Sequence, residues 1–292
     1  MGDVVITLVG VVGCGLMGSG IAEVAAASGA DVMVIEATPA AVDAGQARIE
    51  KSVQRAVTAG KQPEDYAAKV LGNVRFATDI DALADREIVI EAVIENESAK
   101  LEVFEKLDAV LENREAILAT NTSSLSVTRL ARVTTRPEYV VGLHFFNPVP
   151  VLPLVEVVES RLTDAETLTR TESFATNQLG KTAIRAQDRA GFVVNALLVP
   201  YVLSAIRMYE SGFASAADID QGMVLGCAHP IGPLALADLI GLDTAVAVAE
   251  SLYAEFKEPL YAPPPLLLRM VEAGQLGRKS GQGFFEYSRG GA

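Results

Sequence analysis

A nearly continuous apolar run, Val4 to Val12, gives way to Gly13-Cys14-Gly15-Leu16-Met17-Gly18 and then to an Ala-rich stretch ending near Ser28. An apolar run without alternation suits a strand buried on both faces. The glycine spacing G-x-G-x-x-G is a weak signal alone, but here it sits between strand and helix. The first glycine permits the tight turn, the second lets a pyrophosphate approach the backbone, and the third lets the helix pack on the strand. The helix N-terminus adds N–H groups and the positive end of a dipole. Glu36 ends a second short apolar run, Asp31 to Ile35, about 20 residues further on. A carboxylate there can accept hydrogen bonds from adenosine ribose hydroxyls and repels a 2′-phosphate, which favours NAD and leaves NADP open. The competing reading of Glu36 is a solvated strand end. Gly13, Gly15, Leu16, Met17, Gly18 and Glu36 are the candidate dinucleotide-binding set.

The alternation continues. Helices are expected over Ala40 to Ala59, from Pro63, over Ser98 to Leu111 and over Thr163 to Leu179. Further strands are expected at Val74 to Ala77, Ile88 to Val93, Ala116 to Ala119, Val140 to Leu143, Val155 to Val158 and Thr182 to Ala186. Such alternation predicts an α/β, Rossmann-type, doubly wound, mostly parallel sheet. After Gln187 only helical patterns follow, at Gly191 to Glu210, Ala216 to Leu225, Leu234 to Ile240, Asp243 to Phe256 and Pro265 to Ala273. The expectation is a nucleotide-binding domain over residues 1–187 and an all-α C-terminal domain over 188–292.

Bulk properties narrow the function classes. The 292 residues are 50% hydrophobic, enough for a sizeable core. The formal net charge of -13 argues against a nucleic-acid-binding face. An anionic ligand must therefore find helix N-termini or a local cation. Cys14 and Cys227 imply neither a disulfide framework nor a metal site, and they fit a reducing, cytoplasmic setting. Cys14 reads as a packing residue inside the glycine turn. The N-terminus does not read as a secretory leader. The apolar segment Phe192 to Ile206 contains Asn195 and Pro200 and is too short for a membrane span.

The candidate chemistry lies further along. His144, one of two histidines, follows the expected strand Val140 to Leu143. In open α/β sheets ligands gather outside the carboxyl ends of strands, where a histidine can move protons near neutral pH. A hydrogen-bonded core histidine is the equal alternative. Glu156 stands inside the apolar Leu154-Val155-Glu156-Val157-Val158. Burial of that carboxylate requires a partner, and His144 is the economical one. The alternatives are an edge-strand Glu facing water or a salt bridge to an arginine. Asn121-Thr122-Ser123-Ser124 could cap a short helix, or Ser123 could donate to a substrate oxygen. Asn195, a poor helix former within an apolar helix, calls for a specific partner, protein or ligand.

Together these strings resemble the L-3-hydroxyacyl-CoA dehydrogenases. The likeness rests on Gly13 to Ala22, Asn121-Thr122-Ser123-Ser124, His144-Phe145-Phe146-Asn147-Pro148-Val149-Pro150, Gly191-Phe192-Val193-Val194-Asn195 and Gly277 to Tyr287. It covers essentially the whole chain and runs nearest to bacterial 3-hydroxybutyryl-CoA dehydrogenases. The resemblance implies that His144 is the catalytic acid/base and Glu156 its electrostatic partner, with Ser123 and Asn195 holding the reacting oxygen or the thioester. It implies that Glu95, Lys100, Asn121, Ser123 and Asn147 lie on the cofactor side, and Ser52 near the CoA moiety. Glu36 stands where the family often has Asp. A lysine that the family often has one or two turns after Ser52 on the same helix is replaced here by Ala59. The resemblance further implies short-chain (S)-3-hydroxyacyl-CoA substrates, roles in fatty-acid oxidation or butanoate metabolism, no metal, and a homodimer formed through the helical domain. Two other functions fit less well. One is a dehydrogenase of free 3-hydroxy acids, whose relatives rely on lysine; the other is a dinucleotide-binding structural or sensor protein.

Overall fold

The computed structural model describes residues 5–287. They form two compact units that divide between Asp188 and Arg189. The first holds an eight-stranded sheet ordered β3-β2-β1-β4-β5-β6-β7-β8. Its strands are β1 (Leu8–Val12), β2 (Asp31–Ile35), β3 (Val74–Ala77), β4 (Ile88–Glu91), β5 (Ile117–Thr120), β6 (Val140–Phe145), β7 (Leu154–Glu159) and β8 (Thr182–Gln187). The helices of this unit are α1 (Leu16–Ala27), α2 (Pro39–Thr58), α3 (Tyr66–Gly72), α4 (Glu97–Val110), α5 (Val127–Ala131) and α6 (Ala165–Ser173).

Every strand pairing is parallel except β6 with β7. The exception has a simple cause. Only the eight residues 146–153 join those two strands, too few for a crossover, so the chain turns back on itself. β1 starts both arms of the sheet: the chain first builds β2 and β3 on one side, then β4 on the other. That reversal opens a crevice at the carboxyl ends of β1 and β4.

Local chemistry sets the helix starts. Thr38 accepts a hydrogen bond from the Ala41 N–H at 3.2 Å, and Pro39 occupies the first helical position of α2. Asn96 caps α4 through the Ala99 N–H at 3.0 Å, and Asp164 caps α6 through the Thr167 N–H at 2.6 Å. The expected helix to Leu179 is in fact α6 followed by a π turn over Phe174–Gln178. The first strand starts at Leu8, later than the apolar run suggested; the start of that run lies outside the described residues.

The second unit packs α7 (Val194–Glu210), α8 (Ala216–Cys227), α9 (Pro233–Ile240), α10 (Leu242–Phe256) and α11 (Pro265–Glu272). Leu203, Ile206, Leu234, Leu242, Leu252 and Leu267 form its core. Two buried carboxylates hold its turns. Asp220 accepts from the Leu234 and Ala235 N–H groups at the start of α9, both at 2.8 Å. Asp238 accepts from Phe284 and Phe285 N–H and the Tyr287 hydroxyl, each at 3.0 Å. Gly283 permits that contact, since a Cβ there would sit 1.9 Å from Asp238 Oδ1. Burial pushes the Asp238 carboxyl above its usual range, against the lowering effect of these donors. Among the described residues no helix is long and apolar enough to cross a membrane.

Candidate active site

The glycine turn is built by close contact. Gly13 has φ +89°, and a Cβ on it would lie 2.8 Å from the Ala92 carbonyl oxygen beyond β4. A Cβ on Gly18 would lie 1.8 Å from the Gly13 carbonyl oxygen, so α1 can approach the turn only with glycine at that position. A Cβ on Gly15 would meet no protein atom within 4 Å. This is the glycine that must admit a pyrophosphate to the backbone. Gly15 is also the N-cap of α1 and supplies no side-chain cap, which leaves the first-turn N–H groups to an anion. Leu16 opens the helix and is exposed; Met17 packs partly on the core. Glu36 directly follows β2, and its carboxylate accepts from the Cys14 N–H and, at 3.3 Å, the Ala37 N–H. It is thus anchored at the turn, unlike a freely solvated strand end. These residues fit an adenosine ribose and a pyrophosphate.

Cys14 is fully buried beside Gly45 of α2, where a Cβ would lie 2.9 Å from its sulfur. Burial and the Glu36 carboxylate push its thiol up to about 12, against the lowering charge of Arg48. Such a thiol stays protonated and inert, in keeping with a packing role.

His144 lies inside β6 and not after it, because pairing with β7 carries the strand on through Phe145. The antiparallel register sets His144 directly opposite Glu156. Directly opposed side chains share one face of the sheet. His144 Nδ1 and Glu156 Oε2 are 2.6 Å apart. Glu156 is fully buried and His144 is 6% exposed. β7 lies between β6 and β8, so a water-facing edge carboxylate is ruled out. The Phe146 ring packs on the imidazole with centroids 4.7 Å apart. The segment beyond is held as well. Lys181 Nζ donates to the Val149 and Leu152 carbonyls at 2.6 and 2.9 Å, and Val149 packs on α1 at Gly20. Asn147 is exposed on this segment.

The Asn121-Thr122-Ser123-Ser124 turn does not cap α5; Ser126 does, accepting from the Arg129 N–H. The turn is pinned by Glu95 instead. Glu95 Oε1 accepts from the Thr122 hydroxyl, from the Ser123 and Ser124 N–H groups at 3.0 and 3.2 Å, and from the Ser124 hydroxyl at 2.9 Å. Burial acts to raise the Glu95 pKa, but the Lys100 charge and these donors outweigh it and hold the carboxyl below its usual range. Asn121 Oδ1 accepts from the Phe145 N–H at 2.8 Å and so links the end of β5 to the strand carrying His144. Asp188 secures the far side through the Val127 and Thr128 N–H groups at 2.9 and 2.7 Å.

Beneath this turn lies a buried charge cluster that joins the expected Glu95 and Lys100 to Glu91, a residue that the sequence reading missed. Lys100 is 1% exposed and donates to Glu91 Oε1 at 2.6 Å; its ammonium is 3.3 Å from Glu95 Oε2. Glu91 also accepts from Val93 N–H and the Thr120 hydroxyl, both at 2.7 Å. The signal was available. Glu91 stands in the apolar run Ile88 to Val93 just as Glu156 stands in its own, and a buried carboxylate needs a partner.

Two expected residues sit in surroundings that the sequence did not suggest. Ser52, half-buried on α2, faces Glu23 of α1. Burial pushes the Glu23 carboxyl up; the Ser52 and Tyr66 hydroxyls and the charges of Arg55 and Lys181 oppose that shift. Asn195 is half-buried in the first turn of α7, because α7 starts at Val194. Asparagine is well tolerated at a helix start, so the propensity argument for its needing a partner lapses. Among the described residues no group of three or more His, Cys, Asp or Glu side chains is placed to hold a metal ion.

Glycine turn, charge cluster and His–Glu pair all gather at the carboxyl ends of β1, β4, β5 and β6, which are parallel neighbours and share one edge of the sheet. Known proteins are similar to this chain in sequence and in fold. Residues 8–189 match the 3-hydroxyacyl-CoA dehydrogenase NAD binding domain, and residues 191–287 match the C-terminal domain of that family. The 3-hydroxybutyryl-CoA dehydrogenase of Mycobacterium tuberculosis is 57% identical over 279 residues, 96% of this chain and 98% of that one. The crystal structure of M. tuberculosis FadB2 superposes with a TM-score of 0.96 at 56% identity, covering 98% of this chain and all of the other. The (S)-3-hydroxybutyryl-CoA dehydrogenase PaaH1 of Ralstonia eutropha gives 0.91 at 44% identity, with 98% and 100% coverage. The chain belongs to the 3-hydroxyacyl-CoA dehydrogenase family.

Proposed function

We propose that this protein interconverts short-chain (S)-3-hydroxyacyl-CoA and 3-oxoacyl-CoA thioesters, such as 3-hydroxybutyryl-CoA and acetoacetyl-CoA. The observation that carries the reading is the buried 2.6 Å contact between His144 and Glu156, on the same sheet edge as a dinucleotide-type glycine turn. NAD held at the glycine turn and Glu36 would supply the hydride acceptor for oxidation and, as NADH, the hydride donor for reduction.

The protein's own residues position the reactants and move the proton. Glu156 accepts from Nδ1–H of His144, which fixes the neutral tautomer with its lone pair on Nε2. Nε2 then takes the proton of the substrate's 3-hydroxyl as the carbonyl forms, and returns it in the reverse direction. Glu156 stabilises the imidazolium that results. Ser123 holds the reacting oxygen, in a turn that Glu95 keeps rigid, and Asn195 orients the thioester. Gly13, Gly15 and Gly18, with Leu16 and Met17, receive the pyrophosphate, and Glu36 accepts from the adenosine ribose. Lys100, Glu95, Asn121, Ser123 and Asn147 serve the nicotinamide end, and Ser52 the CoA moiety. The first unit is the cofactor domain and the helical unit serves substrate binding and dimerisation. Leu197, Leu225, Leu239 and Tyr253 are exposed on the helical unit and support a homodimer through it. The setting is cytoplasmic.

The test is NADH consumption with acetoacetyl-CoA, run beside free acetoacetate. Turnover of the thioester alone is expected. Faster turnover of the free acid would move the protein to another substrate class. Binding of NADH without turnover of any thioester would favour a structural or sensor role.

A further inference from the structure

We propose that Arg48 is a second determinant of cofactor choice: its guanidinium receives a 2′-phosphate on the adenosine ribose and so narrows the preference that Glu36 imposes. The inference rests on the dinucleotide reading of the glycine turn. Gly45 brings α2 against Cys14, since any larger residue there would collide with the Cys14 side chain. Arg48 lies three residues later, on the same side of the helix. Its Nη1 donates to the Cys14 carbonyl at 3.1 Å, while the Glu36 carboxylate accepts from the Cys14 N–H. The ribose-facing carboxylate and the arginine therefore flank the backbone of one residue in the turn.

The two groups have opposite effects on a phosphate. Glu36 repels it; an arginine offers a planar fork of donors that matches its oxygens. Arg48 is exposed, and the single contact to Cys14 engages one nitrogen, which leaves the rest of the fork open to a ligand. In a chain of net charge -13 a cation at this point is a local exception to the overall field. It has no effect on an unphosphorylated ribose. NADPH should accordingly bind with an affinity that a carboxylate alone would forbid.

The experiment measures dissociation constants of NADH and NADPH by nicotinamide fluorescence, for the intact protein and for Arg48→Gln, Glu36→Gln and the double variant. Lys69→Gln, on α3, controls for the loss of one positive charge. Arg48→Gln is expected to weaken NADPH about tenfold or more and to leave NADH within about twofold, as for the loss of one charge-assisted phosphate contact. Glu36→Gln is expected to tighten NADPH by a similar factor, and the double variant to lose that gain. Equal weakening of both cofactors by Arg48→Gln would overturn the proposal, as would a gain in Glu36→Gln that survives without Arg48. So would a Lys69→Gln effect matching that of Arg48→Gln. If the intact protein bound neither cofactor, the dinucleotide reading itself would fall, a result distinct from the others.

Discussion

Replacing Glu156 by Gln keeps the shape opposite His144 Nδ1 and removes the charge. The two groups are 2.6 Å apart, one fully buried and the other 6% exposed, so water screens them little. Unit charges centred about 4 Å apart attract by about 4 kcal/mol at an effective dielectric constant of about 20. That attraction exists only once His144 carries the proton, so it acts on the transition state and not on the resting enzyme. Its loss corresponds to roughly a thousandfold in kcat, each 1.36 kcal/mol being about tenfold. The Gln amide can also present its NH2 to the ring and select the wrong tautomer, an error that costs about 10⁴ in serine proteases. Glu156→Gln should therefore lower kcat for 3-hydroxybutyryl-CoA oxidation, the direction in which His144 gains the proton, by about 10³ to 10⁴ while the NADH dissociation constant stays within about threefold. The double variant with His144→Gln should be little worse than His144→Gln alone, because the two residues act as a unit. A Glu156→Gln rate within about tenfold of the parent, or rate losses that multiply in the double variant, would refute the reasoning.

Three further outcomes follow from buried groups elsewhere. Lys100→Met leaves Glu91 buried with its ammonium partner gone, and should cost about 3–5 kcal/mol in denaturant unfolding; a loss below about 1 kcal/mol would contradict the ion-pair reading. Gly18→Ala would drive a Cβ to 1.8 Å from the Gly13 carbonyl, backbone that cannot yield cheaply. NADH affinity should drop by roughly 50-fold or more, equivalent to about 2–3 kcal/mol of strain, and near-normal binding by titration would show that the turn has slack. Glu23 has a raised pKa, and its Oε2 lacks a hydrogen-bond partner. A carboxyl raised in the folded state binds more protons folded than unfolded, so its contribution to stability falls as pH rises from its ordinary value near 4.5 through the raised one. Glu23→Gln should remove that decline and raise the unfolding temperature at pH 7 relative to pH 4; an identical pH dependence in parent and variant would show that Glu23 titrates normally.

Most strands and helices were legible because their patterns are local. β2 and β3 fall where the apolar runs place them, and α8 to α11 begin within a residue of where the sequence sets them. Errors gathered where an element's limit depends on a distant partner. β6 reaches Phe145 because β7 returns to pair with it, and no local signal marks that extension. α7 begins three residues later than its pattern suggests, after Gly191 and Phe192 adopt positive φ. The part played by Asp188 was equally hidden: a polar residue at a domain boundary proved to accept from the Val127 and Thr128 N–H groups that open α5, the former 61 residues away in the chain.

By itself the sequence determined the glycine turn, the alternation that forces a parallel sheet, and the residue types capable of proton transfer. Periodicity and spacing encode those within a few turns of chain. Tertiary structure alone decided that His144 faces Glu156, that Glu91 and Glu95 share the Lys100 ammonium, and that Arg48 stands at Cys14. Each of these depends on strand register or on how closely a helix approaches the sheet. A shift of one residue in the β6–β7 register would turn one member of the pair to the opposite face, and nothing in the linear order of residues fixes that register.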